Sequence, residues 1–342
     1  MSEVKFKMAA GTNVGMVRTN NEDNFIVCPD LNTSEWLIPR GDDYVALGDL
    51  GAMVVVADGM GGMNAGEVAS AIAVETIQQL FVPEKLKDVL GDDQRIQEFL
   101  KSAVKSADAN ILQHSADNPD TQGMGTTIVM AWLIGRRAYI CWCGDSRCYV
   151  LSPRNGLSRL SKDHSYVQEL IDRGELHPEL ALGHPMSNII TRCLGNSENR
   201  ALPETRIYEL HTGDVLMLCT DGLCGLCSDD DIAAIMGQHA DNLIECKKEL
   251  ISAALAAGGD DNVTIGLCSV TIEGEEPEQA PEREEAKTDE VEQEAPKDLS
   301  STVKSDAAKK GGGKKLFWIL LLLLLAIAAA CYFWLQQSGA PT

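Results

Sequence analysis

Met53-Val54-Val55-Val56-Ala57-Asp58-Gly59-Met60-Gly61-Gly62 is the stretch whose reading decides the fold of this 342-residue chain. A strand-forming apolar run ends on a carboxylate, and the glycines after it let backbone or ligand come close. The arrangement recurs. The run from Val215 to Cys219 leads into Thr220-Asp221-Gly222, and the run from Tyr139 to Cys143 leads into Gly144-Asp145-Ser146-Arg147. A fourth aspartate, Asp261 in Asp260-Asp261-Asn262, stands just before the apolar run 263–270. Asp-Gly is also ordinary turn chemistry, and a single pair marks no more than a hairpin. Four carboxylates, each at the end of a core strand, can meet at one sheet edge, where their oxygens suit hard cations.

Around these motifs the pattern alternates between two periods. Strands are expected at 24–28, 53–57, 126–134, 137–143, 147–151, 206–210, 215–219 and 262–270. Amphipathic helices are expected at 65–80, 96–113, 229–236 and 242–257, with Ser228 placed to cap the third. Two packed sheets flanked by helices bury such a pattern, so the fold class is α+β. Residues 165–200 differ in texture. They begin helically and are then punctuated by Gly174, His177-Pro178, Gly183-His184-Pro185 and Gly195, as a mobile loop over a site would be.

Composition bounds the function. The net charge is −22, which disfavours nucleic-acid binding. No P-loop or dinucleotide fingerprint is present. The 11 cysteines follow no disulfide framework, and no apolar leader opens the chain, which indicates a reducing, cytosolic setting for the domain. Cys224-Gly225-Leu226-Cys227 is a lone CxxC and lacks the second ligand pair of a zinc site. Residues 273–298 carry 12 acidic and 3 basic side chains, and the segment as far as 310 has too little apolar surface to fold. It is expected to be a disordered tether. Residues 316–335 then give 20 positions without a charge, about 30 Å as a helix, with Trp318 at one end and Tyr332 and Trp334 at the other. Lys309, Lys310, Lys314 and Lys315 precede this run and no charged side chain follows it. The expected organisation is a folded domain over 1–271, a linker over 272–315, a transmembrane helix over 316–335 and a short non-cytoplasmic tail over 336–342. That is a single-pass, tail-anchored protein of the cell membrane with its domain in the cytoplasm.

The ordered set Arg18-Thr19-Asn20-Asn21-Glu22-Asp23, Asp58-Gly59-Met60-Gly61-Gly62, Gly125-Thr126-Thr127, Gly144-Asp145-Ser146-Arg147, Asp163-His164-Ser165, Thr220-Asp221-Gly222 and Asp261-Asn262 resembles the metal-dependent PPM (PP2C-type) serine/threonine phosphatases. The likeness covers about residues 5–271 and is nearest to the bacterial members. It implies a four-layer αββα sandwich with a flap insertion, and two Mn²⁺ or Mg²⁺ ions at one edge. Carried over by position, Asp58 bridges the ions and the Gly59 carbonyl binds one of them. Asp221 and Asp261 bind the other, with Glu22 reached directly or through water. Asp145 and Asp221 would hold a third, weaker ion. Asp23 is a supporting partner or cap. An all-oxygen set of this kind suits hard divalent ions, which lower the pKa of a shared water so that a hydroxide attacks phosphorus in line. Arg18, with a planar fork of donors, is the expected phosphate ligand, the alternative being a surface salt bridge.

Met60 departs from the animal members, which carry a histidine there as proton donor to the leaving group. A metal-bound water takes that role in our expectation, while His164 and His184 are expected to be structural or part of the flap. The resemblance implies hydrolysis of phosphoserine and phosphothreonine on proteins, by a monomeric catalytic domain that opposes a membrane-associated Ser/Thr kinase. Two other readings differ in what they require. An inactive phosphatase-like module would lack metal carboxylates, and a membrane scaffold would recruit a basic partner through the acidic tether.

Overall fold

The computed structural model describes residues 3–37, 43–61, 65–196 and 201–277, all within Met1–Arg283. The expected linker beyond 277, the transmembrane helix and the tail lie outside the described residues. Among the described residues no helix is long and apolar enough to cross a membrane.

In chain order the strands are β1 (Val4–Asn13), β2 (Asn24–Cys28), β3 (Val45–Ala46), β4 (Ala52–Ala57), β5 (Gly59–Met60), β6 (Gly125–Thr126), β7 (Ile128–Ile134), β8 (Arg137–Cys143), β9 (Arg147–Ser152), β10 (Gly156–Arg159), β11 (Glu204–Glu209), β12 (Val215–Cys219) and β13 (Val263–Ile272). The helices are α1 (Gly66–Leu80), α2 (Pro83–Lys87), α3 (Asp93–Asp117), α4 (Tyr166–Asp172), α5 (Asp221–Cys224), α6 (Asp229–Gln238) and α7 (Leu243–Ala256). One sheet runs β10-β9-β12-β13-β1-β3 and the other β11-β8-β7-β4-β2, with antiparallel pairing throughout. A two-stranded ribbon, β5 with β6, stands apart from both.

Three apolar layers explain why the strand runs are continuous rather than alternating. On β4, Val54 and Val56 enter the layer between the sheets, meeting Leu216 and Leu218 of β12. Met53, Val55 and Ala57 face the other way, onto Ala69, Ile77, Leu100 and Val104 of α1 and α3. A third layer packs Met217, Ile265 and Leu267 against Ile232 of α6 and Leu250 of α7. Strands covered on both faces need apolar side chains at every position. The result is the expected αββα order of layers.

The helix starts follow local chemistry. Ser228 accepts from the Asp231 amide while Asp231 accepts in return, a capping box on α6. Asn242 caps α7 through the Glu245 amide at 3.0 Å, and Asp92 caps α3. The one long element that sequence reasoning passed over is β1. It lies between β13 and the two-residue edge strand β3, and pairs along ten positions with β13 from Val4↔Ile272 to Asn13↔Val263. All ten cysteines of the described residues are free and buried, Cys224 and Cys227 among them, so that CxxC belongs to the apolar layer under α6. The segment 165–196 carries α4, capped by Ser165, and is tied down by bridges Ser165↔Ile190 and Thr126↔Leu194.

Candidate metal centre

The carboxylates named from sequence gather where β4, β8, β12 and β13 begin or end. Asp58 follows β4, and its backbone is held from both sides. Its amide donates to Thr127 Oγ1 at 3.1 Å, while its carbonyl accepts from the Thr127 amide and the Thr126 hydroxyl, each at 2.8 Å. Gly59 sits where a Cβ would come within 2.3 Å of the Gly66 carbonyl and 2.4 Å of the Glu22 carbonyl, so a side chain is excluded there. Glu22 lies against α1, because a Cβ on Gly66 would meet its carboxyl carbon at 2.8 Å. The Glu22 amide donates to Asn262 Oδ1 at 2.8 Å, and its carbonyl accepts from Ser70 at 2.7 Å.

Asp145 follows β8 through Gly144, whose φ of +122° favours glycine. That turn is fixed by His164. The Gly144 amide donates to His164 Nδ1 at 3.1 Å, and the His164 amide donates to the Gly144 carbonyl at 3.0 Å. Its ring also stacks on Trp142, and burial lowers its pKa, which suits an imidazole that holds this turn. His184 accepts from the Met186 amide within the 165–196 segment. Asp221 opens α5, and Asp261 precedes β13.

Electrostatics separate these groups from ordinary surface acids. Burial pushes the Asp58 carboxyl well above the usual range, and Asp23, Asp221, Asp145 and Asp261 push it further. Burial and then Asp221 raise Asp145 in the same way. Burial and then Asp261 raise Asp221, although a hydrogen bond with Asp58 and the charges of Arg147 and Arg18 pull it back. Glu22 is raised by burial and by Glu67. Oδ1 of Asp145 and Oδ1 of Asp221 are buried without a hydrogen-bond partner among the described residues. Buried acceptors without donors are rare, and like-charged ones rarer, so divalent cations are the natural partners of this set. Among the described residues no three carboxylate, imidazole or thiolate side chains close on one point tightly enough to enclose an ion. Oxygens from water and backbone would complete each shell, as hard cations permit and zinc sites do not.

Arg18 is brought to the site, but it faces a carboxylate. Its Nη2 donates to Asp261 Oδ2 at 2.7 Å, with both side chains well exposed. Asp23 lies beneath the site, accepting from Thr264 at 2.6 Å and Thr220 at 3.0 Å, and burial lifts it to about 7. Three supports were missed from sequence. Asn262 donates from Nδ2 to the carbonyls of Val14 and Asn20, both at 2.9 Å, and so clamps the loop that carries Arg18 and Glu22. Thr127 and Ser146 join their hydroxyls at 2.7 Å and link the Asp58 and Asp145 turns. Arg147 grips both oxygens of Asp163. Each lies inside a quoted motif, and that position was the only available signal.

Comparison with known proteins agrees with this edge. The family model for protein phosphatase 2C matches residues 38–258. The serine/threonine phosphatase stp of Listeria welshimeri is 33% identical over 256 residues, covering 75% of this chain and 92% of that protein. The serine/threonine protein phosphatase PstP of Mycobacterium tuberculosis is 34% identical over 265 residues, which is 77% of this chain and 45% of that protein. A crystal structure of the Mycobacterium tuberculosis phosphatase PstP/Ppp superposes with a TM-score of 0.63 at 33% identity, covering 78% of this chain and 98% of that one. A PstP catalytic domain in complex with two manganese ions gives 0.62 at 32% identity, covering 78% of this chain and 99% of that one. Sequence, layer order and carboxylate edge converge, and the chain belongs to the protein phosphatase 2C family.

Proposed function

We propose that this chain hydrolyses phosphoserine and phosphothreonine on proteins in a Mn²⁺- or Mg²⁺-dependent reaction. The observation that carries the reading is the pair of buried, unpartnered oxygens on Asp145 and Asp221, beside Asp58 and open to a groove. Asp58, Asp221 and Asp261, with Glu22 and the Gly59 carbonyl, would hold two ions, and Asp145 with Asp221 a third. Bound there, the ions supply charge neutralisation and a more acidic water. The protein's own contribution is placement. Thr126 and Thr127 fix the Asp58 backbone, Asn262 holds the loop bearing Arg18 and Glu22, and Asp23 props the floor. Arg18 would exchange its contact with Asp261 for the substrate phosphate, which accepts two parallel donors. Met60 offers no proton, so the leaving group takes one from water in this reading.

The test is phosphate release from a phosphothreonine peptide by the full chain across Mn²⁺ and Mg²⁺ titrations. No release at any concentration removes the proposal. Loss of turnover in Asp145→Ala at saturating Mn²⁺ supports a role for the third position, and unchanged turnover removes that role. We further propose division at about 271, an anchor formed by residues 316–335 and a cytoplasmic domain that opposes a membrane-associated kinase. The support is the uncharged run and the four lysines before it. Recovery of the full chain in the soluble fraction without detergent would remove the anchor.

A further inference from the structure

The carboxylate edge opens into two grooves of different electrical character. One, of about 760 Å³, runs from Asp145, Asp221 and Asp261 outward past the 178–188 segment and the start of α6. Its rim carries Glu179, Asp229, Asp230 and Asp260. The two arginines on its wall are already engaged. Arg147 holds Asp163 at 2.7 Å, and Arg159 holds Asp163 at 3.5 Å and Gln168 at 3.0 Å. Asp145, only 6% exposed, adds an unpartnered Oδ1 to the same wall. The other groove, of about 740 Å³, lies beyond Met60 and is lined by Leu112, Ala116, Met124 and Ile190, with no charged side chain among the described residues. Asn188 borders both. A chain passing over Asp58 therefore meets an acidic wall on one flank and, among the described residues, an uncharged one of mixed polar and apolar character on the other.

We infer that the acidic groove selects phosphoproteins with lysine or arginine on one flank of the phosphoresidue, while the neutral groove takes the other flank without demanding charge. The inference rests on the phosphatase reading above. Divalent cations offset the carboxylates of the floor, but the rim lies outside them and keeps its sign. An acidic rim draws in basic segments and repels acidic ones, most strongly at low salt.

The experiment compares matched phosphothreonine peptides carrying three lysines, alanines or aspartates on either flank, hydrolysed by the full chain with Mn²⁺. p-Nitrophenyl phosphate, which has no flanks, is the control. The expected result is a kcat/KM about tenfold higher for the lysine than the aspartate peptide on one flank, narrowing to about threefold or less in 0.5 M salt as screening shortens the reach of the rim. The double change Glu179→Gln with Asp230→Asn should reduce the preference at least threefold and leave p-nitrophenyl phosphate turnover unchanged. Equal rates on both flanks, or a preference for aspartate, would overturn the inference while the phosphatase reading stands. Absence of all turnover, the control included, would overturn both.

Discussion

Asp145, which is buried, and Asp163, whose side chain is 9% exposed, are held in opposite ways. Asp163 has both oxygens gripped by the Arg147 guanidinium at 2.7–3.1 Å, and Arg147 reaches on to Tyr149, whose hydroxyl donates to Asp229. Asp145, two positions before Arg147, keeps an oxygen with no donor among the described residues and is pushed up by burial and by Asp221. Burial alone does not distinguish them. What differs is whether the fold supplies the counter-charge or leaves that to something that binds. A charge paired inside the protein is architecture, and a charge left waiting is a site.

The sharpest way to break the contrast is to neutralise each member. Asp58→Asn should lower kcat on a phosphothreonine peptide by about 10³-fold or more, the scale of losing a placed electrostatic group. Its melting temperature without metal should hold or rise, because one repelling charge is gone; scanning calorimetry in chelator checks this, and a clear drop would class Asp58 as structural. Asp163→Ala should do the reverse, leaving the largely buried Arg147 without its main carboxylate partner at a cost of about 3 kcal/mol in urea unfolding. Under 1 kcal/mol of loss would erase the distinction.

The response to pH tests the waiting charges next. Asp23 rises from 3.8 to about 7 on folding, so between those values the folded domain holds more protons than the unfolded chain. Stability without metal should therefore fall as pH climbs from 4 to 7, by roughly 2–4 kcal/mol from this group. Mn²⁺ should restore most at the upper end, and melting curves at pH 5 and pH 8 read both effects. Stability that rises with pH in chelator would contradict the assignment. The smallest effect belongs to Arg18→Ala. The pair with Asp261 is exposed, so stability should move by less than about 0.5 kcal/mol. The Michaelis constant for phosphopeptide should nonetheless rise severalfold, and an unchanged value would remove Arg18 from phosphate binding.

The carboxylates were legible in the sequence because each ends or begins an apolar run, a strictly local signal. The helices at 65–80 and 242–257 were legible through periodicity and, for the second, through Asn242 as its cap. β1 was not read, although Val4, Phe6, Met8 and Ala10 alternate with polar or small residues and all enter the layer between the sheets. Lys5 and Lys7 obscured it, since a lysine on a central strand looks like surface; Lys7 is in fact buried and reaches the Asp241 carbonyl. β3, β10 and α2 are too short to leave a pattern. Contacts between distant positions were beyond any window. Asn262 meets Val14 across 248 positions, and Thr264 meets Asp23 across 241.

The pairing of β13 with both β1 and β12 has a consequence for how the protein is made. A ribosome delivers β1 first and β13 after nearly everything else that folds, so the central sheet stays split throughout synthesis. Asn262 and Thr264 arrive with that last strand, and until they emerge the Arg18 loop lacks its Asn262 anchor and Asp23 lacks one of its two donors. The supports around the carboxylate edge are therefore completed only once Thr264 has cleared the exit tunnel.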